Sequence, residues 1–500
     1  MEFNLSEENY NDVRKSYEKV IVTAKLNQFI SPLKTYEGLK KELPFSALLD
    51  SCGLNLETSR YSYIAIEAEE IIKAKGRVIR YQKNDINIRY TGDPLYFING
   101  YLSRKTYQTK SSFFCGGGIG YFAYETYRYF QKIPLPPIEP EKLPDIYFFF
   151  PKVVLCFDEL EKKVYISYSL DSAKEEYSEA TNFIEKVFTE IKEIEHDDNE
   201  RMNYKEDVVQ KNLSAGFHDA DYSFAENINL KKIRSQKEFE EMVKKAKEYI
   251  ADGDIYQVNL SQRFEYETEK EPWEIYKTLR KINPSPFSAY LQLEDLVIIS
   301  SSPERLIKKK NDKLETRPIA GSRPRGISSE HDEELSKELL LNSKELAEHI
   351  MMIDLERNDI GRVSEKGSVI PEPSIFIENY SHVKHIVSNI SGKVLKSVDW
   401  IDILISMFPG GTITGCPKIR SMEIIAELEE MRRGIYTGSL GWIGYNGDFD
   451  LNIIIRTFLW QNKLLSFYTG AGIVHDSIPE NEYKETLKKA EALIRTITIE

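Results

Sequence analysis

The segment from Phe408 to Thr457 limits most narrowly what this chain can become. Gly410-Gly411-Thr412-Ile413-Thr414-Gly415 opens it, and Pro417 leads into a helical period with Ile419, Met422, Ile425 and Leu428 on one side. Glycines let a backbone approach an anion closely, and a helix start offers free N–H groups. After Gly434 the period shortens to that of a strand. Tyr436, Leu440, Trp442 and Ile443 lead to a turn at Asn446-Gly447, and Leu451–Thr457 continues as a second strand. Arg456 stands in that apolar strand. A buried arginine needs an anionic partner, and a substrate carboxylate and a structural ion pair serve equally.

The chain has 500 residues, 41% of them hydrophobic, so it can bury two large domains or one elaborate one. It has no apolar run of about 18 residues, and Met1-Glu2-Phe3-Asn4 does not open a signal peptide, so a cytoplasmic protein without a membrane segment is expected. Cys52, Cys115, Cys156 and Cys416 are widely spaced, which suits reduced thiols better than a disulfide framework. A net charge of −13 argues against a nucleic-acid binder and leaves room for a local anion pocket.

Residues 1–110 read as the start of an αβ domain. Leu48-Leu49-Asp50-Ser51 ends an apolar run, and Asp50 and Ser51 either cap a turn, as turn preferences favour, or touch a small molecule. Gly116-Gly117-Gly118 joins an apolar strand to an aromatic stripe through Tyr124 and Phe130. Polar, aperiodic sequence between Glu195 and Asn229 marks a boundary, giving units at 1–215 and 216–500. Beyond it, Ile255–Phe264 is a strand whose alternation puts Gln257 and Asn259 on one face.

A helix from Asp332 to Ile353 carries Glu345 and Glu348, and one from Glu480 to Ile494 carries Glu482 and Glu485. Residues three apart share a helix face, and two facing carboxylate pairs suit a hard cation such as Mg²⁺; solvated helices are also simply rich in glutamate. His385 lies in an apolar run as a core histidine or a ring contact. Tyr468-Thr469-Gly470-Ala471-Gly472-Ile473 reads as a strand entering a glycine turn whose N–H groups suit a carboxylate. Lys489 follows Glu485 by one turn, as an ion-pair partner or a further carboxylate contact.

In order, DIYQVNLSQRF, SSPERL, RPIAGSRPRG, SKELAEHIMMIDLERNDIGRV, HVKHIVSNI, FPGGTITGCPKIRSMEI, TGSLGW, IIIRT and YTGAGIV resemble the chorismate-utilising enzymes from about Ser235 onward. LLDS, RYSYI and GGGIGYFAYE extend the resemblance more loosely into the first half. It implies an α+β fold of stacked, mostly antiparallel β-sheets flanked by helices, with an intimately packed amino-terminal domain. It further implies Glu348 and Glu485 as direct Mg²⁺ ligands, supported through water by Glu345 and Glu482. Arg456, Tyr436, the Gly472 backbone and Lys489 then hold the enolpyruvyl carboxylate of chorismate. Glu304 is implied as the general acid at the C4 hydroxyl, with His385 beside the ring and Thr412 at its end.

Isochorismate and salicylate synthases place a water-activating lysine where this chain has Gln257, and glutamine is no base at neutral pH. Ammonia is therefore the expected nucleophile, from solution or from a glutamine amidotransferase subunit. DLERND, FPGGTITG and LNIIIRT look like the aminodeoxychorismate branch, which leads to p-aminobenzoate and folate. SHVKHIVSNI and Ala320, in Pro318-Ile319-Ala320-Gly321-Ser322, look like the anthranilate branch, whose product serves tryptophan synthesis. The motif count puts 4-amino-4-deoxychorismate first, anthranilate second and a non-catalytic scaffold third. Asp50-Ser51 falls where anthranilate enzymes carry a LLES-type tryptophan site, and its shorter side chain implies no strong feedback.

Overall fold

Two long strands, Tyr61–Lys75 and Ile146–Asp158, run side by side through the middle of the molecule. The structure, a computed structural model, describes residues 1–40, 43–52, 59–104, 106–107, 111–199, 229–324, 326, 328–371, 375–379 and 383–499. The long pair changes register between Ala68 and Glu70, where Glu67 takes φ 59°. An extra residue at such a point bends both strands, so their two ends enter different layers.

In one layer the order runs from Lys19–Leu26 through Lys163–Asp171, the long pair and Phe45–Asp50 to Phe287–Leu293. Leu296–Ser302, Thr457–Gln461, Leu464–Ile473 and Gln257–Glu267 complete it. In the other, the long pair leads to Gly117–Phe122, Ser439–Gly444, Phe449–Asn452, Arg305–Lys310 and Lys313–Arg317. These ladders are antiparallel, as expected. Sheets bonded from Phe45–Asp50 to Phe287–Leu293 and from Gly117–Phe122 to Ser439–Gly444 run through both halves of the sequence. Position 215 itself lies outside the described residues. A small separate sheet joins Ile319–Pro324, Val383–Val387 and Phe376–Asn379.

Helices cover the first layer. Ser235 and Glu238 form a capping box that starts Gln236–Ala251, and Phe239, Met242, Val243 and Ala246 on its inner side are buried. Pro479–Thr498 packs beside it, sending Leu487, Ala490, Leu493 and Ile494 into a core shared with Val258, Leu260, Phe467 and Ala471.

The chain departs from its sequence pattern in four places. The helix expected over Asp332–Ile353 is two helices, Ser329–Leu341 and Ser343–Gly361. Asn342 between them is extended, and its Oδ1 accepts the Glu345 N–H at 3.1 Å, a side-chain cap that hydrophobic spacing does not register. The strand expected over Leu451–Thr457 stops at Asn452 and resumes at Thr457. The residues between cross from one layer to the other, and Arg456 turns there with φ 50°. Gly470 and Gly472 lie inside the strand Leu464–Ile473 rather than in a turn. Ile419, placed inward by its period, is exposed, while Ile424 is buried.

Gly120 and Gly441 face each other across two strands. A Cβ on Gly441 would lie 2.0 Å from the Asp450 carbonyl oxygen, and one on Gly120 2.0 Å from that of Tyr147. Backbone atoms held in a ladder cannot yield, so Gly441→Ala is expected to lower stability by about 2–3 kcal/mol. Gly100→Ala, a helix position with open space around it, should be neutral or slightly stabilising. Urea unfolding midpoints of the two variants check this contrast.

Candidate active site

The layers exchange chain at two adjacent segments, and Glu304 and Arg456 lie on them. Pro303-Glu304 carries the chain from Leu296–Ser302 to Arg305–Lys310, and Ile453–Arg456 carries it from Phe449–Asn452 to Thr457–Gln461. The segments hold each other: the Ile453 N–H donates to the Glu304 carbonyl at 3.0 Å, and the Ser301 N–H to the Arg456 carbonyl at 3.1 Å. Glu304 and Arg456 are thus fixed together by backbone bonds. A non-glycine residue at positive φ stores strain of the kind that collects at functional sites.

Glu304 is buried, and its Oε1 accepts the Thr412 hydroxyl at 2.7 Å. Burial pushes its carboxyl up to about 7, outweighing Thr412 and the positive charges of Arg456 and Lys489. Thr412 lies on the short 3-10 turn Gly411–Ile413. Close packing fixes that turn: a Cβ on Gly411 would lie 2.2 Å from Leu355.

His385 enters from the small sheet. Its Nδ1 lies 2.9 Å from the Gly321 carbonyl oxygen, which can only accept, so Nδ1 carries the proton. Burial, then Arg456, push the imidazole down to about 4, so the ring is neutral near pH 7. Ala320 is buried on the same sheet, opposite Ile386. The Ser322 side chain lies outside the described residues, while its backbone pairs with His385.

The glycines of Leu464–Ile473 make room. A Cβ on Gly472 would meet Gln257 Nε2 at 2.6 Å, and one on Gly470 would meet Asn259 Oδ1 at 2.6 Å and the Tyr436 hydroxyl at 2.9 Å. Gln257 and Asn259 therefore share a face, as their alternation requires. Tyr436 is buried and stacks on Tyr468 with centroids 5.2 Å apart. Lys489 donates to the Gly470 carbonyl at 3.0 Å and pairs with Glu485 at 2.7 Å.

Glu345 pairs with Arg323 at 3.2 Å, and its other oxygen lies 3.0 Å from a Cβ built on Gly321, the residue that holds His385. Glu348 is one turn further along that helix, and Glu482 one turn before Glu485 on the other. Among the described residues no three acidic, histidine or cysteine side chains are gathered as a metal cluster. Glu345, Glu348, Glu482 and Glu485 are oxygen donors of the kind a hard cation takes, and in this structure Glu345 and Glu485 are paired with Arg323 and Lys489.

Asp50 and Ser51 lie away from this cluster, beside a cavity of about 230 Å³ lined also by Tyr63, Phe287, Lys308 and Trp442. The Asp50 carboxylate takes the Tyr276 hydroxyl at 3.0 Å and pairs with Arg280, and the Ser51 hydroxyl donates to the Tyr61 carbonyl at 2.7 Å. Sequence reasoning missed Arg433 and Glu429, an i,i+4 pair whose spacing was legible, although nothing local showed that it is buried.

Residues 57–495 match the family described as chorismate binding enzyme. A relative from Bacillus subtilis (strain 168), "Aminodeoxychorismate synthase component 1", is 39% identical over 93% of this chain and 94% of its own. One from Aquifex aeolicus (strain VF5), "Anthranilate synthase component 1", is 38% identical over 100% of this chain and 99% of its own. The solved anthranilate synthase component I from Streptococcus pneumoniae TIGR4 superposes with a TM-score of 0.74 at 32% identity, covering 87% of this chain and 92% of that one. The fold is of the chorismate-utilising type, and the chain belongs to the chorismate-binding enzymes, within the group of anthranilate and aminodeoxychorismate synthases.

Glu304→Gln should separate stability from catalysis. Below about pH 4.5 the carboxyl is neutral both folded and unfolded; above it the unfolded chain ionises while the folded one resists until about pH 7. The native state therefore loses stability as pH rises through that window. The variant, free of that cost, should be more stable than wild type by on the order of 2 kcal/mol above pH 7 and equally stable at low pH. Its turnover should fall by about 10²–10⁴-fold. Melting temperatures across pH, set beside product formation, check both halves.

Proposed function

We propose that this chain, acting in the cytoplasm, catalyses the Mg²⁺-dependent amination of chorismate by ammonia with release of pyruvate, forming anthranilate. The ammonia comes from solution or from a glutamine amidotransferase subunit. The observation that carries the reading is Glu304, a buried carboxyl titrating near pH 7 and facing Arg456 and Lys489. An allylic hydroxyl leaves poorly as hydroxide. A proton from Glu304 lets it leave as water, and Arg456 and Lys489 answer the charge of a carboxylated substrate. Tyr436 and the Gly470 and Gly472 backbone complete that carboxylate site, His385 bounds the ring as a neutral imidazole, and Thr412 orients the acid. Gln257 lines the nucleophile's approach without acting as a base. Glu348 and Glu485, supported by Glu345 and Glu482, would hold Mg²⁺, which supplies a positive clamp for the second carboxylate. In this reading residues 1–215 and 216–500 are an amino-terminal and a catalytic unit whose strands pair in common sheets.

The product assignment reverses the order given by motif count. Ala320 is a buried methyl group at the site, with no nucleophile to occupy C2 and direct ammonia to C4. Direct addition at C2 followed by pyruvate loss needs no such group, and the Aquifex aeolicus and Streptococcus pneumoniae relatives carry the anthranilate name. A second reading, 4-amino-4-deoxychorismate, is favoured by the Bacillus subtilis relative and by the DLERND and FPGGTITG motifs. A barrier difference of about 1.4 kcal/mol is enough for tenfold selectivity. Purified protein with chorismate, Mg²⁺ and ammonium should release anthranilate and pyruvate. A product that yields p-aminobenzoate with an added lyase, and no anthranilate, would install the second reading. Neither turnover nor chorismate binding would leave a scaffold.

Glu348→Gln and Glu485→Gln should each abolish Mg²⁺-dependent turnover while leaving the fold intact by circular dichroism. Near-normal rates with unchanged Mg²⁺ dependence in either variant would remove that residue from the metal site. Asp50 and Ser51 are proposed as contacts of a regulatory ligand in the adjoining cavity. With Asp50 committed to Arg280 and Tyr276, tryptophan titrated at subsaturating chorismate should inhibit only weakly; strong inhibition at low concentration would refute this.

A further inference from the structure

Arg323 reaches across the helix break at Asn342. It lies on Ile319–Pro324 in the small sheet, and the neighbouring strand carries His385. Its Nε donates to Glu338 at 3.1 Å and its Nη1 to Glu345 at 3.2 Å. Glu338 belongs to Ser329–Leu341 and Glu345 to Ser343–Gly361, so one guanidinium ties both helices to the sheet. The two bonds differ in setting. The Glu338 side chain is 58% exposed, whereas that of Glu345 is 24% exposed and its other oxygen lies against Gly321. A further tie involves no charge pair: His349 Nε2 and the Ser388 hydroxyl, on two buried residues, are 2.8 Å apart. Ser388 directly follows the strand Val383–Val387, so this bond holds the second helix to the small sheet independently of Arg323. The other acidic helix repeats the arrangement, with Lys489 bridging Glu485 at 2.7 Å and the Gly470 carbonyl at 3.0 Å. In each case a basic side chain is shared between a glutamate of the proposed metal site and a second acceptor outside it.

We propose that Arg323 is a stand-in cation: it holds Glu345 when no metal is bound, gives it up to a divalent cation, and keeps Glu338 throughout. This rests on the reading of Glu345 as a support of the Mg²⁺ site. Glu345 and Glu348 share a helix face and repel, and the guanidinium relieves that cost. Once a divalent cation is bound, a guanidinium on the same carboxylate would set like charges side by side. Arg323 has a second partner ready, because its Nε already bonds Glu338. The His349–Ser388 bond keeps the helix in register with the small sheet during the exchange. Glu338 therefore tunes metal affinity from outside the site: by competing for Arg323, it loosens the hold of Arg323 on Glu345.

The test is calorimetric titration of Mg²⁺ at low ionic strength into wild type, Arg323→Gln, Glu338→Gln and the double variant, each without and with chorismate. Arg323→Gln should bind Mg²⁺ about threefold more tightly and Glu338→Gln about threefold more weakly, the scale of partly exposed ion pairs. Loss of charge acting only through space gives the same signs, and the double variant separates the two causes. If Arg323 is the competitor, Glu338→Gln changes nothing once Arg323 is gone. If only the field matters, Glu338→Gln weakens Mg²⁺ binding by the same factor in both backgrounds. Additive effects, or an affinity unchanged in either single variant, would overturn the proposal and leave the metal site standing. Mg²⁺ binding to none of the four proteins, with or without chorismate, would overturn the metal site itself. Both side chains are partly exposed, so the variants should keep the fold, and melting temperatures without Mg²⁺ check this. The Glu338→Gln arm decides the proposal even where Arg323→Gln proves unstable.

Discussion

The architecture depends on a charge that has no water around it. Arg433 is 1% exposed, and a guanidinium can stay charged in that setting only if its donors are answered. They are: Glu429 takes two at 2.9 and 2.7 Å, the Asn259 carbonyl one at 2.7 Å, and the Ile413 carbonyl and Thr437 hydroxyl two more at 3.1 and 3.2 Å. Glu429 Oε1 also receives the Ser261 N–H at 2.8 Å, and Glu125, from the first half of the chain, receives the Arg433 N–H at 2.8 Å. One buried pair therefore joins the turn that presents Thr412, the strand that presents Gln257 and the segment that presents Tyr436. Removing either partner strands the other's charge, a loss of about 3–5 kcal/mol in buried pairs generally. That cost fixes the relative position of three parts of the site whose sequence positions are far apart.

Strain is placed where the scaffold can hold it. Arg456 and Thr437 both adopt positive φ, at 50° and 58°, and neither is glycine. Their neighbours are over-determined: Thr437 N–H is bonded to the Ile454 carbonyl, Ile454 N–H to that of Gly438, and Ser301 N–H to that of Arg456. The left-handed turn at Arg456 lets one short segment leave a strand in the second layer and enter one in the first. A straight strand would have kept the chain in one layer. The strain is thus part of how the arginine comes to face Glu304.

Periodic features of the chain were legible in the sequence, and features set by contact were not. Alternation placed Gln257 and Asn259 on one face, and the glycines opposite confirm it through the space they leave. The i,i+4 spacing of Glu485 and Lys489 gave the ion pair that forms. The break at Asn342 escaped because it depends on one side-chain acceptor, and the apolar spacing on either side continues through it. The layer crossing at Ile453–Arg456 escaped because four residues of an apolar strand and four residues of a buried crossing share a composition. The burial of Glu356 and Asp359 was not legible either, since nothing in one helix reveals what packs over it. Burial of charge is a property of the assembled core, and local sequence carries little of it.

Electrostatics gives the site a demand that burial meets twice. The chain carries −13, so its overall field repels a dianion, and recognition must come from local cations such as Arg456, Lys489 and Arg323. Those cations lie among Glu304, Glu345 and Glu485, and ionised carboxylates there would cancel their effect. Desolvation pushes Glu304 up to about 7, so near pH 7 it is about half protonated, which lowers the negative charge in the site and leaves a proton available. Glu345 and Glu485 are met by Arg323 and Lys489 instead, and a divalent cation would take over that compensation and leave both basic side chains for the substrate. On the proposed reading, the carboxyl that donates is the one whose pKa burial raises, and those that would bind a cation lie nearer solvent. In that reading the division of environment, and not residue type, separates the two proposed roles, since every one of these groups is a glutamate.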